Sequence, residues 1–227
     1  MGLSHSPSIV TDGLVLCLDA ANRRSYPGSG TSWLDLSGNS ANGTLINGFA
    51  FSSDVGGCMV FDQTNEKCYL SATRLNVGHK WTMMCWYYPA SSGDDIMGFS
   101  GYGPYWGYTI KSYNSRPYIY YQDSSGNWIG GGGIYTASGT ATLNSWNHCA
   151  ITFDNGTYAS YMNGFKFYNG SGLALTGFNY GSGQFNLGLV GWSTNALKYS
   201  NAQVYNRALT ADEVRRNYLA TKSRFGL

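Results

Sequence analysis

Apolar and polar residues alternate along most of this chain in short stretches, and Gly, Asn, Asp and Ser cluster between them. A period of two places successive side chains on opposite faces of an extended strand. The pattern predicts strands at 14–18, 58–62, 67–71, 81–88, 95–100, 105–112, 117–122, 146–153, 157–162, 165–168, 184–190 and 202–205. Short strands at this cadence, separated by turn formers, predict an all-β fold of two antiparallel sheets, a sandwich or jelly roll. Asn163-Gly164 lies between two of them, and Asn-Gly tolerates the positive φ angles of a tight hairpin. No long linker, charge block or repeat divides the chain, so residues 1–227 are expected to form one domain.

The period changes near the C-terminus, where a helix is expected over about 211–222. Thr210 can accept from the first free amides, and Glu213 three residues later completes a capping box. Leu209 and Val214 then stand at the staple positions, and Val214, Tyr218 and Leu219 form an apolar face. Arg215, Arg216 and Arg224 are left as a solvated basic face or as contacts to an acidic patch of a neighbouring subunit.

Composition sharpens this picture. The chain has 31 Gly, 19 Tyr and 7 Trp, but 14 basic against 12 acidic residues. A net charge of +2 gives no broad electrostatic reason to expect nucleic acid or an anionic membrane as partner. No run of about 18 apolar residues is present for a membrane helix. The start, MGLSHSPSIV, lacks a basic stretch followed by an apolar segment, so no signal peptide is expected. The five cysteines cannot all pair with one another. Cys17, Cys85 and Cys149 sit inside apolar runs and read as buried free thiols, whereas Cys58 and Cys68 flank an expected hairpin and are the pair to test for a bond. Folding in a reducing cytoplasm fits this usage.

Candidate chemistry is sparse, and no enzyme activity is expected. The only glutamates are Glu66 and Glu213, and Glu213 is taken up by the helix cap. A sandwich glycosidase needs a close carboxylate pair, and no Glu-x-Asp occurs. Asp94-Asp95 sits in a Ser/Gly turn, and His148 begins an apolar strand as a structural histidine. No cofactor is expected. Calcium stays open, since Asp62, Asn65, Asp154 and Asn155 are oxygen donors at turns, although turn formation alone explains them. Among glycines, Tyr102, Tyr105 and Trp106 lie in or beside a loop, and Trp128 precedes four successive glycines, Gly130 to Gly133. Such aromatics suit carbohydrate or partner binding and suit core packing equally.

Several stretches together resemble the laminin-G-like, concanavalin A-like jelly-roll family. They are Leu14-Val-Leu-Cys-Leu-Asp-Ala-Ala-Asn, Trp33-Leu-Asp-Leu-Ser-Gly-Asn, Phe61-Asp62, Trp81-Thr-Met-Met-Cys-Trp-Tyr-Tyr-Pro, Trp146-Asn-His-Cys-Ala-Ile-Thr-Phe-Asp and Val204-Tyr-Asn-Arg-Ala-Leu-Thr-Ala-Asp-Glu-Val. The ending Asn217-Tyr-Leu-Ala-Thr-Lys-Ser-Arg-Phe-Gly-Leu looks like that of such domains in tailed-phage structural proteins. The resemblance implies a virion protein, made in the host cytoplasm and displayed on the particle surface. It would decorate the capsid as a homo-oligomer among other capsid or virion proteins, or act as a tail or fibre adhesin that binds host glycan. Relatives often carry Asp-Gly where this chain has Asp62-Gln63, and an acidic residue before the final strand where it has Lys198-Tyr-Ser-Asn-Ala-Gln. Both departures weaken any carry-over of calcium binding.

Overall fold

A computed structural model describes residues 7–62, 66–75, 77–93, 95–100, 109–122, 128–130, 140–172, 183–188 and 197–227. They form two antiparallel eight-stranded sheets and one helix near the C-terminus. Sheet I contains β1 (Leu14–Asp19), β4 (Ala50–Ser52), β5 (Cys58–Phe61), β7 (Lys80–Pro89), β12 (Asn147–Asp154), β13 (Thr157–Met162), β14 (Phe165–Gly170) and β16 (Leu197–Tyr205). Its order is β14-β13-β12-β7-β16-β5-β4, and β1 also pairs with β16. Sheet II contains β2 (Ser32–Trp33), β3 (Gly43–Ile46), β6 (Lys67–Ser71), β8 (Asp95–Ser100), β9 (Thr109–Tyr113), β10 (Arg116–Gln122), β11 (Trp128–Gly130) and β15 (Gln184–Gly188). Its order is β11-β10-β9-β8-β15-β6-β3-β2.

The expected strands are present, with three differences. β2, β3, β4 and β11 are additional; at two to four residues each they are too short to show alternation. β16 begins at Leu197, ahead of the expected 202–205, because pairing with β7 continues across an irregularity between Tyr199 and Asn201. Positions 105–108 and 189–190 of two expected strands lie outside the described residues. The Asn163-Gly164 hairpin has φ of 50° and 78°, and Asn155-Gly156, with 47° and 91°, makes an equivalent turn between β12 and β13. Cys58 and Cys68 do not flank a hairpin: β5 and β6 belong to different sheets, and all five thiols are buried and free.

Alternation along β7 sends Trp81, Met83, Cys85 and Tyr87 into the core between the sheets, where they join Cys149, Ile151 and Phe153 of β12. The residues between them face the other way. Met84, Ala150, Ala159, Tyr161 and Tyr205 form a second apolar cluster with Val10, Leu209 and Val214. Both faces of the middle of sheet I are therefore dry, and the C-terminal segment covers the outer one. Helix α1 (Ala211–Thr221) starts at the expected capping box, with Thr210 N–H donating to Glu213 Oε2 at 2.8 Å and Glu213 N–H to Thr210 Oγ1 at 3.3 Å. A 3-10 turn follows at Lys222–Phe225. Burial of staple residues Leu209 and Val214 stabilises the docking by about 1.5–3 kcal/mol each.

Polar groups fix the docking more tightly than the apolar pattern suggests. Asn217 is 2% exposed: its Oδ1 accepts from Val10 N–H at 2.8 Å, and its Nδ2 donates to Tyr205 Oη at 2.8 Å. The Tyr205 hydroxyl donates in turn to Val10 O at 2.9 Å. Trp86 Nε1 donates to Thr221 Oγ1 at 2.8 Å, and Phe225 stacks on the Trp86 ring at 3.9 Å. Arg224 donates to Asp19 Oδ1 at 2.7 Å, to Val55 O at 2.8 Å and to Ser200 Oγ. Arg216 holds Ser8 through O and Oγ at 2.8 and 2.9 Å, while exposed Arg215 lies over the Phe165 ring at 4.6 Å. The three arginines, read from the sequence as a solvated basic face or as contacts to a neighbouring subunit, all have partners within the chain. His148 is buried under the tail between Trp86 and Tyr218, and its Nδ1 has no hydrogen-bond partner among the described residues. Burial pulls its pKa from 6.5 down to about 3, so the folded state holds it neutral.

Two outcomes follow for stability. Arg224→Ala lowers the unfolding free energy by about 2–4 kcal/mol in urea titrations, whereas Arg215→Ala stays within about 0.5 kcal/mol. Because the folded pKa of His148 is depressed, its contribution is fully present above pH 6.5 and is lost as pH falls towards 3. Between pH 6.5 and 4.5 this loss approaches about 1.4 kcal/mol per unit, and His148→Gln removes that slope. Glu213, held at about 2 chiefly by its bond to Arg207, adds a separate loss only as pH falls below its usual 4.5.

Candidate functional site

The outer face of β12 changes character along its length. Its outward residues are His148, Ala150, Thr152 and Asp154. The first two lie beneath the tail. Thr152 is still buried, and Asp154 at the end of the strand is half-exposed. There a cleft of about 610 Å³ opens at the β12–β14 edge of sheet I, lined among others by Thr152, Asp154, Thr157, Tyr158, Tyr168 and Asn169.

The two Asn-Gly hairpins shape this cleft. Asn155-Gly156 lets β13 turn back so that Thr157 stands opposite Asp154, and the Thr157 hydroxyl donates to Asp154 O at 2.6 Å. Asp154 Oδ1 receives Asn155 Nδ2 at 2.8 Å and pairs with Lys80 Nζ, on the neighbouring β7, at 3.0 Å. Both contacts go to Oδ1, so Oδ2 keeps its acceptor capacity. Exposed Asn169 on β14 adds an amide that donates and accepts. The Tyr158 and Tyr168 rings lie 5.6 Å apart, tilted by 41°. Gly170 permits the Tyr158 position: a Cβ there would stand 2.2 Å from the ring. Tyr158 is buried on the core side of the sheet and half-buried Tyr168 packs against that core, so the groups this cleft offers a polyhydroxylated ligand are the Asp154 carboxylate, the Asn169 amide and the Thr157 hydroxyl.

Of the residues singled out from the sequence, Tyr102, Tyr105 and Trp106 lie outside the described residues, as do Asn65 and Asp94. Trp128 opens β11 opposite Gln122. Asp154, named above as an oxygen donor, does reach the cleft, but Thr152, Thr157, Tyr158, Tyr168 and Asn169 carried no signal of their own beyond the shift from apolar to polar along β12. Asp62 does not join Asp154; its N–H donates to Glu66 Oε2 at 2.6 Å. Among the described residues, no group of three or more His, Cys, Asp or Glu could hold a metal ion.

Neither glutamate lines the cleft. Glu66 is 2% exposed, with its carboxylate on the Asp62 amide. Glu213 caps α1 and pairs with both terminal nitrogens of Arg207 at 2.6 and 2.9 Å. That pair is the main cause holding its pKa near 2. His148 is sealed under the tail. No acid–base pair of these three groups faces the cleft.

Solved structures share this architecture at low identity. The receptor binding domain of botulinum neurotoxin D is 14% identical, with a TM-score of 0.69 over 92% of this chain and 52% of that one. The botulinum neurotoxin type G receptor binding domain is 15% identical, with a TM-score of 0.65 over 91% and 51%. Trypanosoma rangeli sialidase in complex with sialic acid is 14% identical, with a TM-score of 0.70 over 97% of this chain and 36% of that one. The chain thus spans about half the length of the toxin domains, and the likeness is one of fold. No curated protein matches it in sequence. The family model described as the concanavalin A-like lectin/glucanases superfamily matches residues 62–215, and the two-sheet sandwich with its short C-terminal helix agrees with it: the chain belongs to this superfamily of lectin-like jelly rolls.

Proposed function

We propose that this chain is a non-catalytic recognition module that binds carbohydrate in the β12–β14 cleft and is displayed on the surface of a tailed-phage particle. The observation that carries the binding role is the cleft itself, where Asp154, Asn169 and Thr157 bring a carboxylate, an amide and a hydroxyl together. Superfamily membership supports it, as do similar structures named as receptor binding domains and as a sialidase holding sialic acid. The absence of catalysis is supported by the positions of Glu66 and Glu213, both engaged away from the cleft. Binding by these side chains needs no cofactor. Many copies on a particle would multiply a weak single-site affinity.

The particle location is supported by the resemblance of the chain's ending to tailed-phage structural proteins. The same resemblance favours a second reading, a capsid decoration protein whose partners are its own copies and other capsid proteins. Mass spectrometry and cryo-microscopy of purified virions separate the two: a capsid lattice position favours decoration, and a tail or fibre position favours an adhesin.

The binding role is checked with a glycan array followed by calorimetry. At least one glycan is expected to bind, and Asp154→Ala and Asn169→Ala each weaken it roughly tenfold, the loss of one good hydrogen bond, with unchanged circular dichroism. Trp106→Ala leaves the affinity unchanged if the cleft is the site. An array without hits removes the glycan reading.

A further inference from the structure

Cys85 on β7 and Cys149 on β12 are directly opposed in the antiparallel register of sheet I. Both side chains point into the core, and their Sγ atoms are 3.5 Å apart. All five thiols are free and buried, and no other two are joined by a hydrogen bond among the described residues. We propose that Cys85 and Cys149 are a latent cross-strand disulfide, formed with a low-molecular-weight disulfide as oxidant.

Backbone geometry favours the bond. A disulfide spans Cα atoms about 4.4–6.8 Å apart. Directly opposed residues of antiparallel strands are about 4.5–5.5 Å apart, so the strands need not move. The sulfurs must close from 3.5 Å to about 2.05 Å, which small χ1 rotations provide. Other pairings are disfavoured by position: Cys58 and Cys68 lie in different sheets, and Cys17 is on β1, which pairs with β16.

The chemistry balances with the oxidant named. One cysteine, as thiolate, attacks a sulfur of the small disulfide, forming a mixed disulfide and expelling one small thiolate. The second cysteine attacks the protein-side sulfur, forming the Cys85–Cys149 bond and expelling the other. The two protein thiols are oxidised, the small disulfide is reduced to two thiols, and the two cysteine protons pass to the released thiolates. Burial, together with the Cys149 thiol, pushes the Cys85 pKa up, and thiolate is the reactive species. Exchange in the closed core is therefore slow, and the bond forms during folding or when β7 and β12 part. Once formed, it ties the strand that carries Trp86 under the tail to the strand that carries Asp154 in the cleft.

The test is oxidative refolding of the full chain in mixed oxidised and reduced glutathione. Free thiols are then alkylated and non-reduced peptides mapped by mass spectrometry. Before alkylation the expected product, with Cys85 linked to Cys149, is about 2 Da lighter than the reduced chain, and it leaves three cysteines to be alkylated. Its Tm is expected to lie about 10 °C above that of the reduced chain. Cys149→Ala, checked for fold by circular dichroism, is expected to keep four alkylated cysteines; the wild-type peptide map decides the matter even if that variant does not fold. Five alkylated cysteines in the wild-type product, a bond through Cys17, Cys58 or Cys68, or a bonded form melting below the reduced one would each overturn the proposal.

Discussion

Everything in this fold depends on keeping both faces of the middle of sheet I dry. Strands β7 and β12 present apolar or aromatic groups on each side, so one sheet-on-sheet contact cannot shelter them. Sheet II covers the inner face. The outer face, with Met84, Ala150 and Tyr205, needs a second cover, and the C-terminal segment supplies it with Leu209, Val214 and the Phe225 ring on Trp86. Such two-sided burial is typical of sheets flanked by helices and uncommon for antiparallel ones, which usually leave one side wet. The tail is therefore an integral layer of the sandwich.

The same cover defines where a ligand can approach. Helix α1 has 11 residues and is about 16 Å long, whereas the 8-residue β12 extends about 27 Å. The helix is shorter than the strand, whose outward residues run from buried Thr152 to half-exposed Asp154 at its end. Two tight hairpins bring Thr157, Tyr158, Tyr168 and Asn169 to that end. The cleft is thus a product of the layering, built on strands and turns with little freedom to rearrange.

The parts of this arrangement that were legible in the sequence rest on local rules. Alternation located the longer strands, Asn163-Gly164 located a hairpin, and Thr210 with Glu213 located the helix start, each from residues within a few positions of one another. The parts that were not legible depend on distant partners. Asn217 looks like a solvated helix residue, yet its side chain meets Val10 and Tyr205. Arg224 reads as a free surface cation, yet Asp19, Val55 and Ser200 gather around it from three separate segments. The cleft was hidden for the same reason: its carboxylate, hydroxyl and amide sit on ordinary strand residues until three strands are laid side by side. The two- and three-residue strands β2 and β4 have too few positions for any period to register.

The placement of β16 has a kinetic consequence. It lies in the middle of sheet I, with β7 along one side and both β5 and β1 along the other, although it is the last strand of the domain among the described residues. The first strand cannot find its partner until the last one exists, and pairings so far apart in sequence close slowly. In the meantime β7 carries an unpaired backbone edge and two uncovered apolar faces, the combination that invites pairing between chains. Whether β7 escapes such pairing in a newly made domain therefore depends on how soon residues 197–225 arrive, and a pause just before them would do more harm than the same pause earlier in the domain.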